Sequence, residues 1–409
     1  MVFTTVFPNG AQPNIGLFVR ERMFRVGRRL PLIVVAPQPW FPFQGLITRF
    51  WKPHFRLPAP SHEIQCGFDV YHPRFISIPG LLKGWDGFLM ALCCFPLLLK
   101  LRKSFCFNVI DSHFTYPDGY AATLLANWLR VPATITLRGT EVPLARYSAR
   151  RVRMLKALRY ARRVFSVAEA LKGHVVAMGA DTDKISVVGN GVDISKFHPV
   201  DHVEARRRLG LPKDAKVLIS VGGLVERKGF HRVIEVLPRL LQRYPNLHYL
   251  IVGGASVEGD MSTQLREQVR ALGLLDRVHF LGSLAPEELK VPLSASDVFV
   301  LATRNEGWAN VFLEAMACGL PVVTTDVGGN SEVVCREELG IIVPFGDAEA
   351  LHDGLITALI TSWDRKLIVD YARENDWEKR VDILVSAFQD VVASVDAMKS
   401  LGVSGGSSG

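Results

Sequence analysis

The chain lacks the features that mark membrane-spanning and secreted proteins. Its longest apolar run, GFLMALCCFPLLLK, has about 13 residues and contains Pro96, whereas a membrane-spanning helix needs about 20. The N-terminal segment MVFTTVFPNG has no charged region followed by a long apolar core, so we predict a strand there and no signal peptide. The apolar run is predicted to be a helix, packed either in a core or at a membrane interface.

Patterns typical of metal sites, disulfide frameworks and nucleic-acid readers are also missing. The six cysteines form no CxxC pair and show no histidine spacing typical of a metal site. We therefore predict reduced thiols, with Cys318 at a buried helix position, and no metal, because no Asp-x-Asp pair sits at a predicted strand end. The sequence has no zinc-finger spacing, RNP-like aromatic motif or helix-turn-helix pattern, which argues against a nucleic-acid partner.

Acidic residues are scarce in the first half of the chain. Residues 1–200 contain 26 Lys and Arg against 11 Asp and Glu, whereas residues 201–409 contain 22 against 29. A basic half suits an anionic membrane surface or an anionic substrate. The arginine-rich segment 146–165 is interpreted as a basic amphipathic helix for such a membrane or, alternatively, as a solvated helix face.

Apolar strand-like runs alternate with helical segments along the chain. A length of 409 residues exceeds one ordinary core, and serial βα units favour parallel sheets covered by helices on both faces. We predict two doubly wound, Rossmann-like α/β domains at 1–192 and 193–376, divided near the turn-rich GNGVDISKFHP. A final helix at 377–399 and a flexible tail at 400–409 complete the predicted chain.

The segment RNEGWANVFLEAMACGLPVV predicts an anion site at the end of the strand DVFVLAT. Asn310 is a suitable N-cap and Gly319 a suitable C′ residue, so we predict a helix from Val311 to Cys318. The free N–H groups at its start suit a diphosphate.

Two carboxylates lie around this helix start. Glu314, one turn into the helix, and Glu306, in the preceding loop, suit hydroxyl groups of rings on both sides of a diphosphate. Alternatively, Glu306 is a solvated loop residue and Glu314 is a partner of the helix dipole, and neither binds a ligand. A second anion site is predicted at SVGGLVERKGF, where Lys228 precedes a helix start.

The first half carries three further candidate segments. The loop FPNGAQPNIGLFVRER follows the first strand and suits a phosphate or sugar. His113 follows a strand in VIDSHFTYPDGYAA, and Arg138 and Glu141 follow another in TLRGTEV. A residue at a strand end is either structural or part of a site at the carboxyl edge of the sheet.

Together, EGWANVFLEAMACGLPVVTTDVGGNSEVV, VGGLVERKGF, VVGNGVDISKFHP and SHFTYPDGYAA make the chain resemble a family 4 glycosyltransferase of the retaining, GT-B type, from about Val2 to Val391. The resemblance implies two domains facing each other across a cleft and a C-terminal helix that crosses back to the first. It also implies a hexosyltransferase-like enzyme that moves a sugar from a nucleotide-diphosphate donor to a glycan or lipid-linked hydroxyl. The implied setting is envelope or exopolysaccharide synthesis, in the cytoplasm or on the inner face of the plasma membrane.

The resemblance also implies roles for individual residues. Glu306 would hold donor-sugar hydroxyls, Glu314 the ribose, and Lys228 the diphosphate. His113 would contact the donor sugar. The further implied donor contacts are Gly16, Gly222, Gly223, Gly282 near the base, and the N–H groups of Asn310, Val311 and Phe312. Arg138, Glu141 and Trp308 are candidate sugar or acceptor contacts.

One position departs from the family pattern. The family commonly has an arginine where this sequence has Gly223, and we consider Arg227 as its substitute. Two alternatives to a transferase stay open at this point. One is a GT-B nucleotide-sugar epimerase, and the other is a non-catalytic nucleotide-sugar-binding scaffold.

Overall fold

Buried β-branched runs alternate with helices, and this alternation builds two parallel sheets in separate units. The computed structural model describes residues 1–13, 15–42, 44, 59–256 and 258–400. The first unit contains Met1–Asn190 and the chain from Glu378 onward, and the second contains Gly191–Trp377. The units divide within the turn-rich segment 189–199. Of the predicted tail at 400–409, Ser400 is the last residue of the terminal helix, and residues 401–409 lie outside the described residues.

The first unit contains a sheet in the order β10-β9-β8-β7-β1-β2-β5-β4, parallel except that β4 pairs with β5 antiparallel. Its strands are β1 Val2–Phe3, β2 Val34–Val35, β3 Gln38–Trp40, β4 His62–Gln65, β5 Phe68–Tyr71, β6 Arg74–Ile76, β7 Ile110–His113, β8 Ala133–Leu137, β9 Arg163–Ser166 and β10 Ile185–Val187. Its helices are α1 Leu17–Gly27, α2 Asp86–Ser104, α3 Tyr120–Leu129, α4 Glu141–Leu144, α5 Ser148–Tyr160 and α6 Glu169–Ala177. Strands β3 and β6 form a separate two-stranded sheet.

The second unit contains a fully parallel sheet in the order β13-β12-β11-β14-β15-β16. Its strands are β11 Lys216–Val221, β12 Leu247–Val252, β13 Val278–Gly282, β14 Val298–Leu301, β15 Val322–Thr325 and β16 Gly340–Val343. Its helices are α7 His202–Arg208, α8 Phe230–Arg243, α9 Ser262–Ala271, α10 Lys290–Ala295, α11 Asn310–Ala317, α12 Asn330–Val333, α13 Ala348–Ile360 and α14 Arg365–Glu374.

Both faces of the second sheet are covered by apolar side chains. Val217 and Ile219 of β11 point into one core with Phe312 of α11, while Leu218 between them joins Phe230 of α8 in a second core. Successive strand residues face opposite sides of a sheet, so a strand buried on both faces reads as a continuous apolar run. The predicted doubly wound architecture is confirmed.

The terminal helix α15, Trp377–Ser400, belongs to the first unit from Glu378 onward. Phe388 packs edge-to-face on Phe165 of β9, with ring centroids 5.7 Å apart. At the start of the helix, Arg29 forms ion pairs with Glu378 at 2.6 Å and with Asp382. The prediction that this helix returns to the first domain is therefore confirmed.

Several predicted boundaries are wrong. The first strand, predicted over Val2–Phe7, spans only Val2–Phe3, and the chain bends at Thr5. Helix α11 begins at Asn310, with Ala309 as its N-cap. The arginine-rich helix is α5, and its apolar residues do not share one face, since Leu158 is buried while Tyr160 is 72% exposed. Within the described residues, no helix combines the length and apolar character needed to cross a bilayer.

Candidate active site

The carboxyl ends of the strands in the second unit bring the predicted donor-binding loops to one edge of the sheet. Gly222 donates its N–H to the carbonyl of Val252 at 2.9 Å, and Gly253 donates to the carbonyl of Gly282 at 2.8 Å. Strands β11 and β14 pair side by side, so the loops that follow them are neighbours. Ligands of doubly wound sheets bind at this edge.

Lys228 lies in a tight turn packed directly against the end of β14. Residues Glu226–Lys228 form a 3₁₀ turn, and Gly229 follows as the N-cap of α8 with φ +76°. A Cβ at Gly229 would lie 1.9 Å from the carbonyl oxygen of Ala302, so only glycine fits there. The turn is thus fixed to the loop that carries Glu306.

Glu306 is the centre of a dense polar cluster. Its Oε1 accepts from Lys228 Nζ at 2.7 Å, from Arg227 Nη1 at 3.0 Å and from Thr303 Oγ1 at 3.1 Å. Glu306 is buried, so this carboxylate has exchanged water for two cations and a hydroxyl. Both cations are directed at the same oxygen, so an anion that displaced the Glu306 carboxylate would contact both of them.

Arg227 is held in place from its other side. Its Nε and Nη2 donate to the two carboxylate oxygens of Glu258 at 2.8 and 2.7 Å, and Nη1 also donates to the carbonyl of Asn305 at 2.9 Å. The hydrogen bonds with Glu258, followed by the charge of Glu306, raise the pKa of the Arg227 guanidinium. The same pairing lowers the pKa of Glu258. Arg227 is therefore a preorganised cation.

Helix α11 begins four residues after Glu306, on the loop that follows β14. Val311 lies in its first turn, and Glu314 is half-buried one turn in. Gly319 has φ +83° and ends the helix as predicted, next to the buried Cys318. Phe312 in this turn donates its N–H to the carbonyl of Ala309 at 3.0 Å, and the N-terminal end of the helix dipole supplies positive potential for an anion.

The remaining predicted donor contacts occupy the same edge of the second unit. Gly222 lies along the aliphatic part of Lys228, since a Cβ there would be 3.6 Å from Lys228 Cε. A Cβ at Gly223 would lie 3.1 Å from Ser256 Cβ, which leaves little room for a side chain. Gly282 ends β13, and Trp308 Nε1 is buried without a hydrogen-bond partner among the described residues.

In the first unit, His113 and Arg138 lie side by side at the ends of β7 and β8. Arg138 Nη2 and Nε lie 3.0 and 3.3 Å from His113 Nδ1, and Arg138 Nη1 donates to Asn190 Oδ1 at 2.7 Å. The guanidinium also lies over the ring of Phe18, 5.1 Å from its centroid. The structure thus joins two segments that the sequence presented separately.

His113 is a buried, neutral imidazole. Burial, followed by the charges of Arg138 and Arg22, lowers its pKa well below the usual value. Since Nδ1 accepts from Arg138, the proton resides on Nε2. That atom is 3.4 Å from Asp111 Oδ2, yet neither atom forms a hydrogen bond within the described part of the chain. Burial also raises the pKa of Asp111 to about 6.

Contacts within the first unit explain why position 141 is a glutamate and position 16 is a glycine. The buried Glu141 carboxylate accepts from Thr115 N and Oγ1 at 3.1 and 2.8 Å, and from the N–H groups of Arg138 and Gly139 at 3.2 and 2.7 Å. This favours a role in positioning the two loops over direct sugar contact. Gly16 has φ +67°, and a Cβ there would lie 2.3 Å from the carbonyl oxygen of Val6. Contact of either residue with a ligand stays a prediction.

Sequence reasoning did not single out Glu258, Thr303 or Asn190. Each holds a predicted site residue: Glu258 holds Arg227, Thr303 holds Glu306 and Asn190 holds Arg138. The available signal was their position, since Glu258 and Thr303 lie in loops that follow strands β12 and β14. Polar loop residues are common, so this signal alone does not separate them from a solvated surface.

Two family models match the chain, one in each half. The model described as Glycosyltransferase Family 4 matches residues 44–196, and the model described as Glycosyl transferases group 1 matches residues 201–375. The second match contains the Lys228 turn, Glu306 and helix α11. The two matched ranges together cover most of the chain.

Similar proteins agree with these matches. The chain is 28% identical over 406 residues to a Bacillus subtilis (strain 168) protein with the provisional name teichuronic acid biosynthesis glycosyltransferase TuaC, covering 97% of this chain and 94% of that one. It is 31% identical over 309 residues to a D-inositol 3-phosphate glycosyltransferase of Stackebrandtia nassauensis, covering 70% and 69%.

Solved structures show the same fold. The structure of Anabaena HepE with UDP superposes with a TM-score of 0.70 at 20% identity, covering 95% of this chain and 99% of that one. At this identity the likeness concerns the fold alone. The family matches, the relatives and the two doubly wound units lead to one conclusion: the chain is a glycosyltransferase and belongs to family 4, with the GT-B fold.

Proposed function

We propose that the chain transfers a sugar from a nucleotide-diphosphate donor to a hydroxyl acceptor with retention at the anomeric carbon. The observation that carries this proposal is the pair of cations, Lys228 and Arg227, directed at one oxygen beside the start of helix α11. Such a site stabilises the negative charge that develops on a leaving diphosphate. The cations and amide groups supply this charge compensation from the protein itself, and we propose that no metal is required.

In the proposed reaction, the bond between the anomeric carbon and the diphosphate oxygen breaks as the acceptor oxygen attacks from the same face. The acceptor proton moves to the departing phosphate oxygen, so no side chain acts as nucleophile. Lys228 and the first N–H groups of α11 bind the diphosphate, while Glu314 accepts from the ribose hydroxyls. Glu306 leaves the two cations when the diphosphate arrives and then accepts from donor-sugar hydroxyls.

We propose that Arg227 supplies the second cation that the family pattern places at Gly223. Arg227 is held by Glu258 with its Nη1 on Glu306, whereas a side chain at Gly223 would press on Ser256 in the loop that also carries Glu258. Both positions therefore border the same loop. The positive charge is retained although its position in the sequence has changed.

Replacing Arg227 with alanine is expected to lower kcat/KM about 30-fold, because one charge-assisted contact to the leaving diphosphate is lost, worth about 2 kcal/mol. The double variant Gly223→Arg/Arg227→Ala should recover part of the lost activity, since the new arginine restores the charge while Ser256 has to shift by a few tenths of an ångström to admit its Cβ. Steady-state kinetics of the three proteins measures this. A double variant no more active than Arg227→Ala would contradict the exchange of position.

For the first unit, we propose that donor-sugar hydroxyls reach the His113–Arg138 pair. The support is chemical: the buried Nε2–H of His113 has no hydrogen-bond partner among the described residues, and a buried donor normally has one. Arg138 fixes the ring so that this N–H keeps one direction. A sugar hydroxyl is an acceptor of suitable size.

We propose a glycan or lipid-linked acceptor, in envelope or exopolysaccharide synthesis on the cytoplasmic face of the membrane, and a hexosyl group as the sugar. The support is the similarity to the teichuronic acid biosynthesis relative over nearly the whole chain and the basic character of residues 1–200. Charge of this sign favours an anionic surface or substrate. UDP is our first candidate nucleotide because HepE, which has the same fold, is complexed with it.

A binding panel of UDP, GDP and ADP followed by turnover with the matching nucleotide sugars tests the proposed function. One nucleotide should bind with micromolar affinity, its sugar donor should release nucleoside diphosphate in the presence of an acceptor, and EDTA should leave the rate unchanged. Glu314→Ala should weaken nucleotide binding about tenfold, since two ribose hydroxyls lose a charged acceptor. Affinity for none of the three nucleotides would contradict the proposal.

A further inference from the structure

Helix α2 has two apolar faces, and only one of them is buried. Met90, Cys94 and Leu98 lie in the core of the first unit. On the other side, Phe88, Leu92 and Leu99 are 37%, 53% and 46% exposed. Positions separated by four or seven residues share one helix face, so these side chains form an apolar stripe facing outward.

The loop before α2 extends this stripe. Leu81 and Leu82 are each 64% exposed and Trp85 is 52% exposed. The guanidinium of Arg153, on helix α5, lies over the Trp85 ring at 5.7 Å from its centroid. The basic helix α5 therefore borders the apolar surface directly. We call the surface formed by the exposed side chains of residues 81–99 the α2 face.

The charges around the α2 face are almost entirely positive. Residues 74–168 contain 15 Lys and Arg but only four Asp and Glu. Three of these acids, Asp111, Asp118 and Glu141, are buried, and the fourth, Asp86, is half-buried and forms an ion pair with Lys83 at 3.2 Å. Lys100 and Lys103 lie at the other end of the stripe and are exposed. Repulsion from an anionic surface is therefore minimal.

We infer that the α2 face is the element that inserts into an anionic lipid bilayer, with α5 contacting the headgroups. An apolar stripe bordered by cations, with aromatic residues at its edge, is the composition of an interfacial helix. A face-to-face dimer of this chain would oppose cations to cations, which disfavours a second copy as the occupant. This inference rests on the proposed membrane acceptor, and it selects α2 as the inserted element from the two segments, α2 and α5, for which the sequence allowed a membrane interface.

Vesicle co-sedimentation of the full chain tests this inference. With vesicles of phosphatidylcholine containing phosphatidylglycerol, the double variant Leu92→Ser/Leu99→Ser should bind about tenfold more weakly than the wild type, because two inserted side chains are lost. Arg150→Ser/Arg153→Ser should also weaken binding, by about fivefold per charge. Vesicles of phosphatidylcholine alone should bind weakly.

The matched control is Leu275→Ser/Ile360→Ser, which removes two side chains of the second unit that are 62% and 60% exposed. It should bind vesicles like the wild type. Equal binding by the α2 variant would overturn the inference, and so would a dimer in lipid-free gel filtration that Leu92→Ser/Leu99→Ser disrupts. Circular dichroism and thermal unfolding, measured in parallel, report folding of the variants. If the wild type bound no nucleotide, the proposed function would be contradicted, whereas the vesicle experiment would still test the membrane contact of α2.

Discussion

Replacing Lys228 with alanine is expected to lower kcat about 1000-fold, the largest effect of any single substitution that we predict. The Nζ of Lys228 lies 2.7 Å from the Glu306 carboxylate, at the place where we propose the diphosphate binds. Loss of one preorganised donor to a developing anion typically costs 10²–10³ in kcat. Single-turnover kinetics with saturating donor separates this chemical effect from weaker binding.

Two controls make the Lys228 result specific. Lys228→Arg keeps the charge with a different geometry and should recover part of the activity. Arg304→Ala removes an exposed cation of the neighbouring loop, paired with Glu226 at 3.4 Å, and should change kcat less than threefold. A similar loss in Lys228→Ala and Arg304→Ala would mean that Lys228 acts through general charge and has no special place at the leaving group.

Replacing Glu306 with glutamine is expected to separate turnover from nucleotide affinity. This carboxylate accepts hydrogen bonds from both Lys228 and Arg227. Without its charge the two cations lack a competing anion, so the nucleoside diphosphate should bind as tightly as to the wild type or several-fold tighter. Turnover should nevertheless fall about 100-fold, because the sugar loses the acceptor that orients its hydroxyls.

Calorimetry of nucleoside diphosphate binding beside steady-state kinetics measures both quantities. Glu226→Gln is the matched control, since Glu226 lies in the same turn as Lys228, is exposed and forms an ion pair with Arg304 at 3.4 Å. It should leave affinity and turnover near wild type. A parallel loss of affinity and turnover in Glu306→Gln would contradict the exchange of the carboxylate for the diphosphate.

The doubly wound architecture could be predicted because most of its strands are buried on both faces. The run KVLISV becomes β11 and the run LHYLIV becomes β12; both are mostly apolar, and each is followed by glycine. Parallel strands covered by helices require such runs. The turn residues also acted locally, since Gly319 ends α11 as its type predicts.

The elements that the sequence did not reveal depend on tertiary context. Strand β4, HEIQ, is short and largely polar because it pairs antiparallel at the sheet edge, where one face meets solvent. The two faces of α2 were ambiguous because a helix that is apolar all round shows no periodicity to separate core from surface. Which face is exposed depends on where neighbouring elements pack.

In the candidate site, the residue types at strand ends predicted where the site residues lie better than they predicted which side chains those residues contact. Lys228 and Glu306 were singled out separately as a diphosphate contact and a sugar contact. Their direct ion pair follows from the pairing of β11 with β14, which brings residues 78 apart in sequence within 2.7 Å. The ion pair between Glu258 and Arg227 likewise depends on tertiary structure, since the loop after β12 brings Glu258 next to Arg227.

The central claim is that Lys228, Arg227 and the start of α11 receive a pyrophosphoryl leaving group. A crystal structure with the nucleoside diphosphate selected by the binding panel tests it most directly. We expect the terminal phosphate within about 3 Å of Lys228 Nζ and of the N–H groups at the start of α11, with Glu306 displaced from both cations. A diphosphate bound away from Lys228, with the Lys228–Glu306 ion pair intact, would contradict the claim.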